Sequence, residues 1–335
     1  MEIDNNLPEV LVTRKLPDPA YQILKRKVEI DSWEEDDPMP REKLLERLKG
    51  KTAVICLLSD RMDREAIDSG RDLKVIANYA VGYDNIDVEY ATENNIAVIN
   101  TPGVLTAATA DLAFALLLAA ARRIGESDRY VRGGRFKQWG PKLMLGKDVW
   151  KATLGVIGAG KIGRAVLRRG KGFEMNLLYY SRNRKKDLEE ELGARYVNLK
   201  ELLRESDFVS LNCPLTDETR HMIGPGELEM MKDDAVLINT ARGPVVDEDA
   251  LENALRNGII GSAGLDVYEK EPRVHPGLLE LENVVLAPHI GSSTHTTRNA
   301  MAELVARGTL EILSGNVPQN LVNPEVVERE SNDRS

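Results

Sequence analysis

The stretch "TLGVIGAGKIGR", residues 153–164, limits what this 335-residue chain can fold into more than any other. An apolar strand runs straight into a Gly-x-Gly-x-x-Gly turn, a helix follows, and a second apolar run, "NLLYYS" (176–181), closes a βαβ unit. Gly158 permits the tight turn, Gly160 lets the backbone approach a pyrophosphate, and Gly163 lets the helix pack closely on its strand. The amides at the helix N-terminus attract the anion. Glycine-rich turns are common, so the motif alone says little. Its position between a strand and a helix makes it a dinucleotide-binding signature.

Short apolar runs and amphipathic segments alternate along the rest of the chain. The runs "EVLVT" (9–13), "TAVICLL" (52–58), "KVIANYA" (74–80) and "AVIN" (97–100) form a first series. Between them lie helical patterns such as "REKLLERL" (41–48) and "NIDVEYATENN" (85–95). A second series holds "TLGVIGA", "NLLYYS", "FVSLNC" (208–213), "AVLINT" (235–240), "AGLDVY" (263–268) and "NVVLAP" (283–288). Strand–helix alternation predicts parallel sheets with helices on both faces, and the length suits two cores. A long helix is expected over 106–124 and a last one over 298–314, with a hinge at "NTPGV" (100–104) and a frayed polar end.

Composition excludes several classes of partner. The net charge is −9 and no basic stripe with interleaved aromatics occurs, so neither nucleic acid nor an anionic membrane is expected. Cys56 and Cys213 are the only cysteines and form no CxxC, which suits a reducing cytosol. The opening "MEIDNNLPEV" has neither a basic n-region nor an apolar h-region, so no signal peptide is expected. The longest apolar run, 112–121, would reach only about half of a bilayer's hydrocarbon and reads as a buried helix. A soluble cytoplasmic protein is the expectation.

The second strand of the βαβ unit ends at Ser181, where a site preferring NAD would carry Asp or Glu for the ribose 2′-hydroxyl. Ser181, Arg182 and Arg184 can instead hydrogen-bond a 2′-phosphate, so NADP(H) is the preferred cofactor and NAD(H) a possible one. Three later strand ends carry ionisable residues: Arg242 after "AVLINTA", Glu271 after "AGLDVYEK" and His289 after "NVVLAP". Carboxyl ends of parallel strands face the ligand crevice, so these groups can converge. Together they suit reduction of a 2-oxo acid. Arg242 would grip the carboxylate in a bidentate fork, and His289 would protonate the developing alkoxide. Glu271 beside the imidazole would favour its charged form.

His289 and His295, six apart, also raise the possibility of a metal pair. Their spacing fits neither an i,i+4 helical pair nor a zinc-finger pair, and no cysteine lies nearby in sequence. No metal is expected. His295 would serve capping or substrate-side hydrogen bonding.

The segments "TLGVIGAGKIGRAV", "SDFVSLNCPLTDETRHMIG", "LINTARGPVVDEDAL", "AGLDVYEKEP" and "LAPHIGSSTHTTR" resemble the D-isomer-specific 2-hydroxyacid dehydrogenases, over about residues 9–323. "ANYAVGYDNID", "NTPGVLTAATADLAFALLLAAARR" and "NLVN" are similar to the glyoxylate/hydroxypyruvate reductase branch. The resemblance implies two doubly wound parallel-sheet domains: a Rossmann cofactor domain over 103–294, inserted in a flavodoxin-like substrate domain of 1–102 plus 295–335. It implies that Arg242, Glu271 and His289 are the catalytic triad, that the Val81-Gly82 backbone holds the substrate carboxylate, and that Leu57 and Leu58 line the pocket. Cofactor contacts are implied at Gly158, Ala159, Gly160, Lys161, Ile162, Gly163, Ser181, Arg182, Asn183, Pro214, Thr240, Ala241, Arg242, Asp266, His289 and Gly291, with Asp266 at the nicotinamide amide. A homodimer is implied, with Trp139 reaching the neighbouring subunit's active site, although "RFKQWGPKLMLG" departs from the usual spacing around that residue.

The implied activity is NAD(P)H-dependent reduction of glyoxylate to glycolate or of hydroxypyruvate to D-glycerate. Formate dehydrogenases of this type carry glutamine where Glu271 stands. Phosphoglycerate dehydrogenases commonly carry aspartate at the Ser181 position and an extra C-terminal domain. Another D-2-hydroxyacid substrate, such as 3-phosphoglycerate, and a dinucleotide-sensing interaction protein are the alternatives.

Overall fold

The computed structural model describes residues 7–327; residues 1–6 and 328–335, including most of the polar end expected to fray, lie outside it. The chain divides into two compact units, Met1–Leu105 with Ser293–Ser335, and Thr106–Ser292.

The first unit is a five-stranded parallel sheet of β1 (Glu9–Val12), β2 (Glu29–Ser32), β3 (Ala53–Cys56), β4 (Val75–Asn78) and β5 (Ala97–Ile99), in the order β2-β1-β3-β4-β5. This is the flavodoxin-like order. Every residue of β3 and β4 is buried, as strands covered by helices on both faces require. Two buried asparagines of "NLVN" join the end of the chain to this sheet. The Asn323 side chain accepts from the Val98 amide at 2.7 Å and donates to the Ile96 carbonyl at 2.9 Å. Asn320 donates to the Asn100 carbonyl at 2.6 Å. The last helix, His295–Leu313, packs on helix Asp18–Leu24 and on β4.

The second unit is a seven-stranded parallel sheet of β6 (Thr153–Ile157), β7 (Asn176–Tyr180), β8 (Arg195–Tyr196), β9 (Phe208–Leu211), β10 (Val236–Asn239), β11 (Ser262–Leu265) and β12 (Val284–Leu286). Its order is β12-β11-β10-β9-β6-β7-β8, a Rossmann arrangement that reverses between β6 and β9. Helix Thr106–Ala121 lies against β10, β11 and helix Lys161–Gly172, which explains why it is apolar on nearly every side. A β-carbon at Gly264 would stand 2.9 Å from that of Leu116, so β11 keeps a glycine where the helix presses on it.

The ten strands read from apolar runs are present, and two more appear. Both β2 ("EIDS") and β8 ("RY") are partly exposed edge strands without an apolar run. The long helix stops at Ala121 rather than 124, because Arg123 turns left-handed at φ 53° and the Lys147 amide takes the Ala121 carbonyl at 2.8 Å. The last helix starts at His295, earlier than expected, because the Thr294 hydroxyl caps it by accepting from the Thr297 amide at 3.1 Å. Among the described residues no helix is long and apolar enough to cross a membrane.

Candidate active site

The glycine turn forms at the switch point of the second sheet. Gly158 has φ 93°, and a β-carbon there would lie 2.6 Å from the Asn212 carbonyl carbon, just past the end of β9. At Gly163 a β-carbon would lie 2.0 Å from the Gly158 carbonyl oxygen, so the helix rests on the turn itself. Gly160 differs. It is the N-cap of helix Lys161–Gly172, and a β-carbon there would meet nothing within 4 Å, which leaves the space beside its amides open to a ligand. At the end of β10 the Thr240 hydroxyl is buried and has no hydrogen-bond partner among the described residues; the Asn212 side-chain oxygen, beside Gly158, is in the same state. Open amides and unpartnered strand-end polar atoms fit a dinucleotide.

The same edge of the sheet carries the ionisable groups. The His289 Nδ1 lies 2.8 Å from Glu271 Oε2, and Glu271 Oε1 accepts the Tyr268 amide at 3.0 Å. Burial pushes the Glu271 carboxyl up, but His289, the Tyr268 amide and the charge of Arg242 together hold it below its ordinary range. His289 itself sits at φ 55°, a conformation β-branched or bulky residues rarely adopt. Asp266 maintains it there. Its backbone carbonyl accepts the His289 amide at 2.9 Å, and its buried carboxylate accepts the amides of Ile290 at 2.7 Å and Gly291 at 2.8 Å. Burial raises the Asp266 carboxyl above its ordinary value, despite those amides and the neighbouring His289.

Arg242 is placed by two residues that the sequence did not single out. The Asn239 side chain donates to the Arg242 carbonyl at 2.9 Å and accepts the Ala241 amide at 3.0 Å, closing the turn after β10. Gly243 lies so close to the β11 loop that a β-carbon would stand 1.9 Å from the Tyr268 carbonyl carbon. The loops bearing Arg242 and Glu271 are therefore packed backbone to backbone. Tyr268 ties the second of them to β12, its hydroxyl donating to the Ala287 carbonyl at 2.9 Å.

In the first unit the loops after β3 and β4 are held by side-chain amides, those of Asn78 and Asn100 buried and that of Asn85 half-buried. Asn78 donates to the Gly82 carbonyl at 2.7 Å, and Asn100 to the Val81 carbonyl at 2.7 Å. Asn85 donates to the Leu57 carbonyl at 3.1 Å and the Asp60 carbonyl at 2.9 Å. The Asp60 carboxylate accepts the Leu57 amide at 2.8 Å. With their carbonyls engaged inward, Val81 and Gly82 sit in a fixed turn. The buried asparagines were not anticipated, yet they leave a trace: "VIAN", "AVIN" and "VLIN" are apolar runs that each end in asparagine.

Residues 114–291 match the model of the D-isomer specific 2-hydroxyacid dehydrogenase NAD-binding domain. The chain is 52% identical to the glyoxylate reductase of Thermococcus litoralis over 324 residues, covering 96% of this chain and 98% of the relative. The chain belongs to the D-isomer-specific 2-hydroxyacid dehydrogenase family. The Pyrococcus furiosus glyoxylate reductase is likewise 52% identical, covering 96% of both chains. Among solved structures, the glyoxylate reductase of Paecilomyes thermophila superposes with a TM-score of 0.84 at 38% identity, covering 94% of this chain and 98% of that one. The NADPH-dependent glyoxylate/hydroxypyruvate reductase of Sinorhizobium meliloti, solved with NADP and malonate, gives 0.84 at 32%, covering 95% and 97%.

In this dehydrogenase the anticipated cofactor and catalytic residues all follow carboxyl ends of the second sheet's strands: Gly158 to Gly163 after β6, Ser181 to Asn183 after β7, Pro214 after β9, Thr240 to Arg242 after β10, Asp266 and Glu271 after β11, and His289 to Gly291 after β12. A cleft bordered by Ala120, Lys147, Asp234, Ser262 and Val284 lies at the opposite edge, at the amino ends of β10 to β12. His295 stands apart from this set as the exposed first residue of the last helix. Among the described residues no three His, Cys, Asp or Glu side chains gather as metal ligands.

Proposed function

We propose that this dehydrogenase reduces glyoxylate, and hydroxypyruvate as a second substrate, with NADP(H) preferred over NAD(H). The observation that carries the reading is the 2.8 Å pair between His289 Nδ1 and Glu271. With Nδ1 committed to the carboxylate, Nε2 is the nitrogen left to face substrate and give up a proton. The dinucleotide, when bound, supplies the hydride. Arg242 grips the substrate carboxylate and draws charge toward the carbonyl oxygen, and His289 protonates that oxygen as the alkoxide develops. Glu271 keeps the imidazole oriented and compensates its charge. In the first unit the turn at Val81 and Gly82 offers backbone donors suited to a carboxylate, and Leu57 and Leu58, in the loop after β3, are its apolar counterpart.

Relatives named glyoxylate reductase at 52% identity over nearly the whole chain support the substrate. For the cofactor, Ser181 in place of an acid and the exposed Arg182 support NADP(H). A homodimer is supported by the large apolar side chains left exposed between Ile124 and Trp150, among them Phe136 and Trp139, the latter 78% exposed. Both cysteines are buried free thiols, which suits the cytoplasm.

Initial rates with glyoxylate and hydroxypyruvate, each with NADPH and NADH, test the reading on one plate. Turnover with glyoxylate and a lower KM for NADPH are expected. No oxidation of either cofactor with either substrate overturns it. Light scattering on the eluted protein tests the dimer.

A further inference from the structure

The loop after β7 offers two arginines to a 2′-phosphate, and the structure treats them differently. Arg184 is held in a fork by Glu189: its Nε donates to Oε1 at 2.8 Å and its Nη2 to Oε2 at 2.7 Å. The same carboxylate accepts the Tyr179 hydroxyl at 2.7 Å, and that hydroxyl accepts the Lys185 amide at 2.8 Å. Tyr179 is fully buried in β7, so Glu189 is anchored to the core on one side and to the loop on the other.

Most surface ion pairs are weak because two long side chains must be ordered to form them. Here Tyr179 orders the carboxylate independently, and the contact is bidentate. The Arg184 hydrogen bonds, followed by that of Tyr179, bring the Glu189 carboxyl down to about 2, so it is ionised at any working pH. Arg182 is exposed and has no fork of this kind among the described residues; its charge acts only at longer range, on Glu218, and is the last of the influences on that carboxyl. Ser181 is fixed from both sides, its hydroxyl donating to the Asn183 carbonyl at 2.7 Å and its carbonyl accepting the Tyr196 hydroxyl at 3.2 Å.

We infer that Glu189 withholds Arg184 from the cofactor, so that of the two arginines on this loop only Arg182 discriminates NADP(H) from NAD(H), Ser181 contributing by the absence of a repelling carboxylate. Glu189 is thus a specificity-determining residue that never touches the dinucleotide. It limits the preference to less than two free arginines would give. The inference rests on the NADP(H) reading above.

Fluorescence titration of the full-length protein with NADPH and with NADH tests it. R182A should weaken NADPH about tenfold or more while leaving NADH unchanged. R184A should weaken NADPH clearly less than R182A does, its loss coming from the unpaired Glu189 carboxylate rather than from a lost phosphate contact. E189Q keeps an acceptor for the Tyr179 hydroxyl but releases Arg184, and should tighten NADPH about three- to tenfold with no change for NADH. In the R184A/E189Q double variant that gain should vanish.

An R184A loss as large as that of R182A overturns the inference while leaving the NADP(H) reading intact. So does an E189Q gain that is absent, or one that survives in the double variant. If neither R182A nor R184A alters the NADPH-to-NADH ratio, the NADP(H) reading itself falls.

Discussion

The two sheets share a doubly wound parallel plan, yet their carboxyl ends display opposite kinds of chemistry. After β3 and β4 of the five-stranded sheet, buried Asn78 and Asn100 and half-buried Asn85 engage backbone carbonyls, leaving a rigid turn at Val81 and Gly82. After β10 to β12 of the seven-stranded sheet, Arg242, Asp266, Glu271 and His289 put ionisable groups at the strand ends. In the proposed mechanism one edge presents backbone and the other moves a proton. The amides of Asn78 and Asn100 that hold the Val81–Gly82 turn do not titrate, so that turn is held at any pH; the carboxyl at this edge, Asp60, holds the Leu57 amide instead. A proton donor must titrate, and it needs a carboxylate and a fixed backbone to stay aligned. The difference predicts that damage at the first edge appears as lost binding and damage at the second as lost turnover.

The largest expected effect lies at the second edge. His289→Asn preserves a polar side chain but removes the proton donor, and kcat should fall about 10²- to 10⁴-fold with KM little changed. Steady-state rates with glyoxylate would measure this. A loss seen mainly in KM would put His289 among the binding residues and erase the contrast.

A smaller and differently distributed effect is expected at the first edge. Asn78→Ala leaves the Gly82 carbonyl without its donor and loosens the turn. KM for the 2-oxo acid should rise about tenfold, with kcat within about twofold of the parent. The same assay distinguishes the outcomes. An equal fall in kcat would mean that the turn takes part in the chemical step.

The two edges also differed in how far the sequence exposed them. The charged edge was legible because strand ends bearing Arg, Glu and His are unusual after apolar runs, and the glycine turn carries its own context. Gly243 was not legible, since its need for close approach to Tyr268 depends on a loop 25 residues further on. Nor was Asp266 seen as the anchor of the His289 turn, because its two amide partners come from the next strand's end. The amide network at the first edge escaped for a related reason. A terminal asparagine on an apolar run reads as the start of a loop until the fold shows which carbonyl it faces. Edge strands β2 and β8 escaped because half-exposed strands have no reason to be apolar. The commitment of Arg184 to Glu189, five residues on, was legible in spacing only once the helix start was known.

The smallest expected effect concerns stability rather than rate. Burial raises the Glu271 carboxyl, but His289, the Tyr268 amide and Arg242 outweigh it, so folding lowers its pKa overall. A carboxyl lowered by folding contributes stability that is complete above its unfolded pKa and is lost as pH falls through its folded one. Glu271→Gln imitates the protonated form at every pH. The variant should therefore melt a few degrees or less below the parent at neutral pH, Glu271 being partly exposed to solvent. The gap should close as pH falls through the lowered Glu271 value, because the parent then carries a neutral side chain as well. No such closing gap is expected for Asn78→Ala, whose lost hydrogen bonds do not titrate. Melting curves of the parent and both variants from neutral to acid pH check this. A Glu271→Gln gap that stays constant with pH would make the pair with His289 no more than a neutral hydrogen bond, and the two edges would then differ in geometry but not in charge.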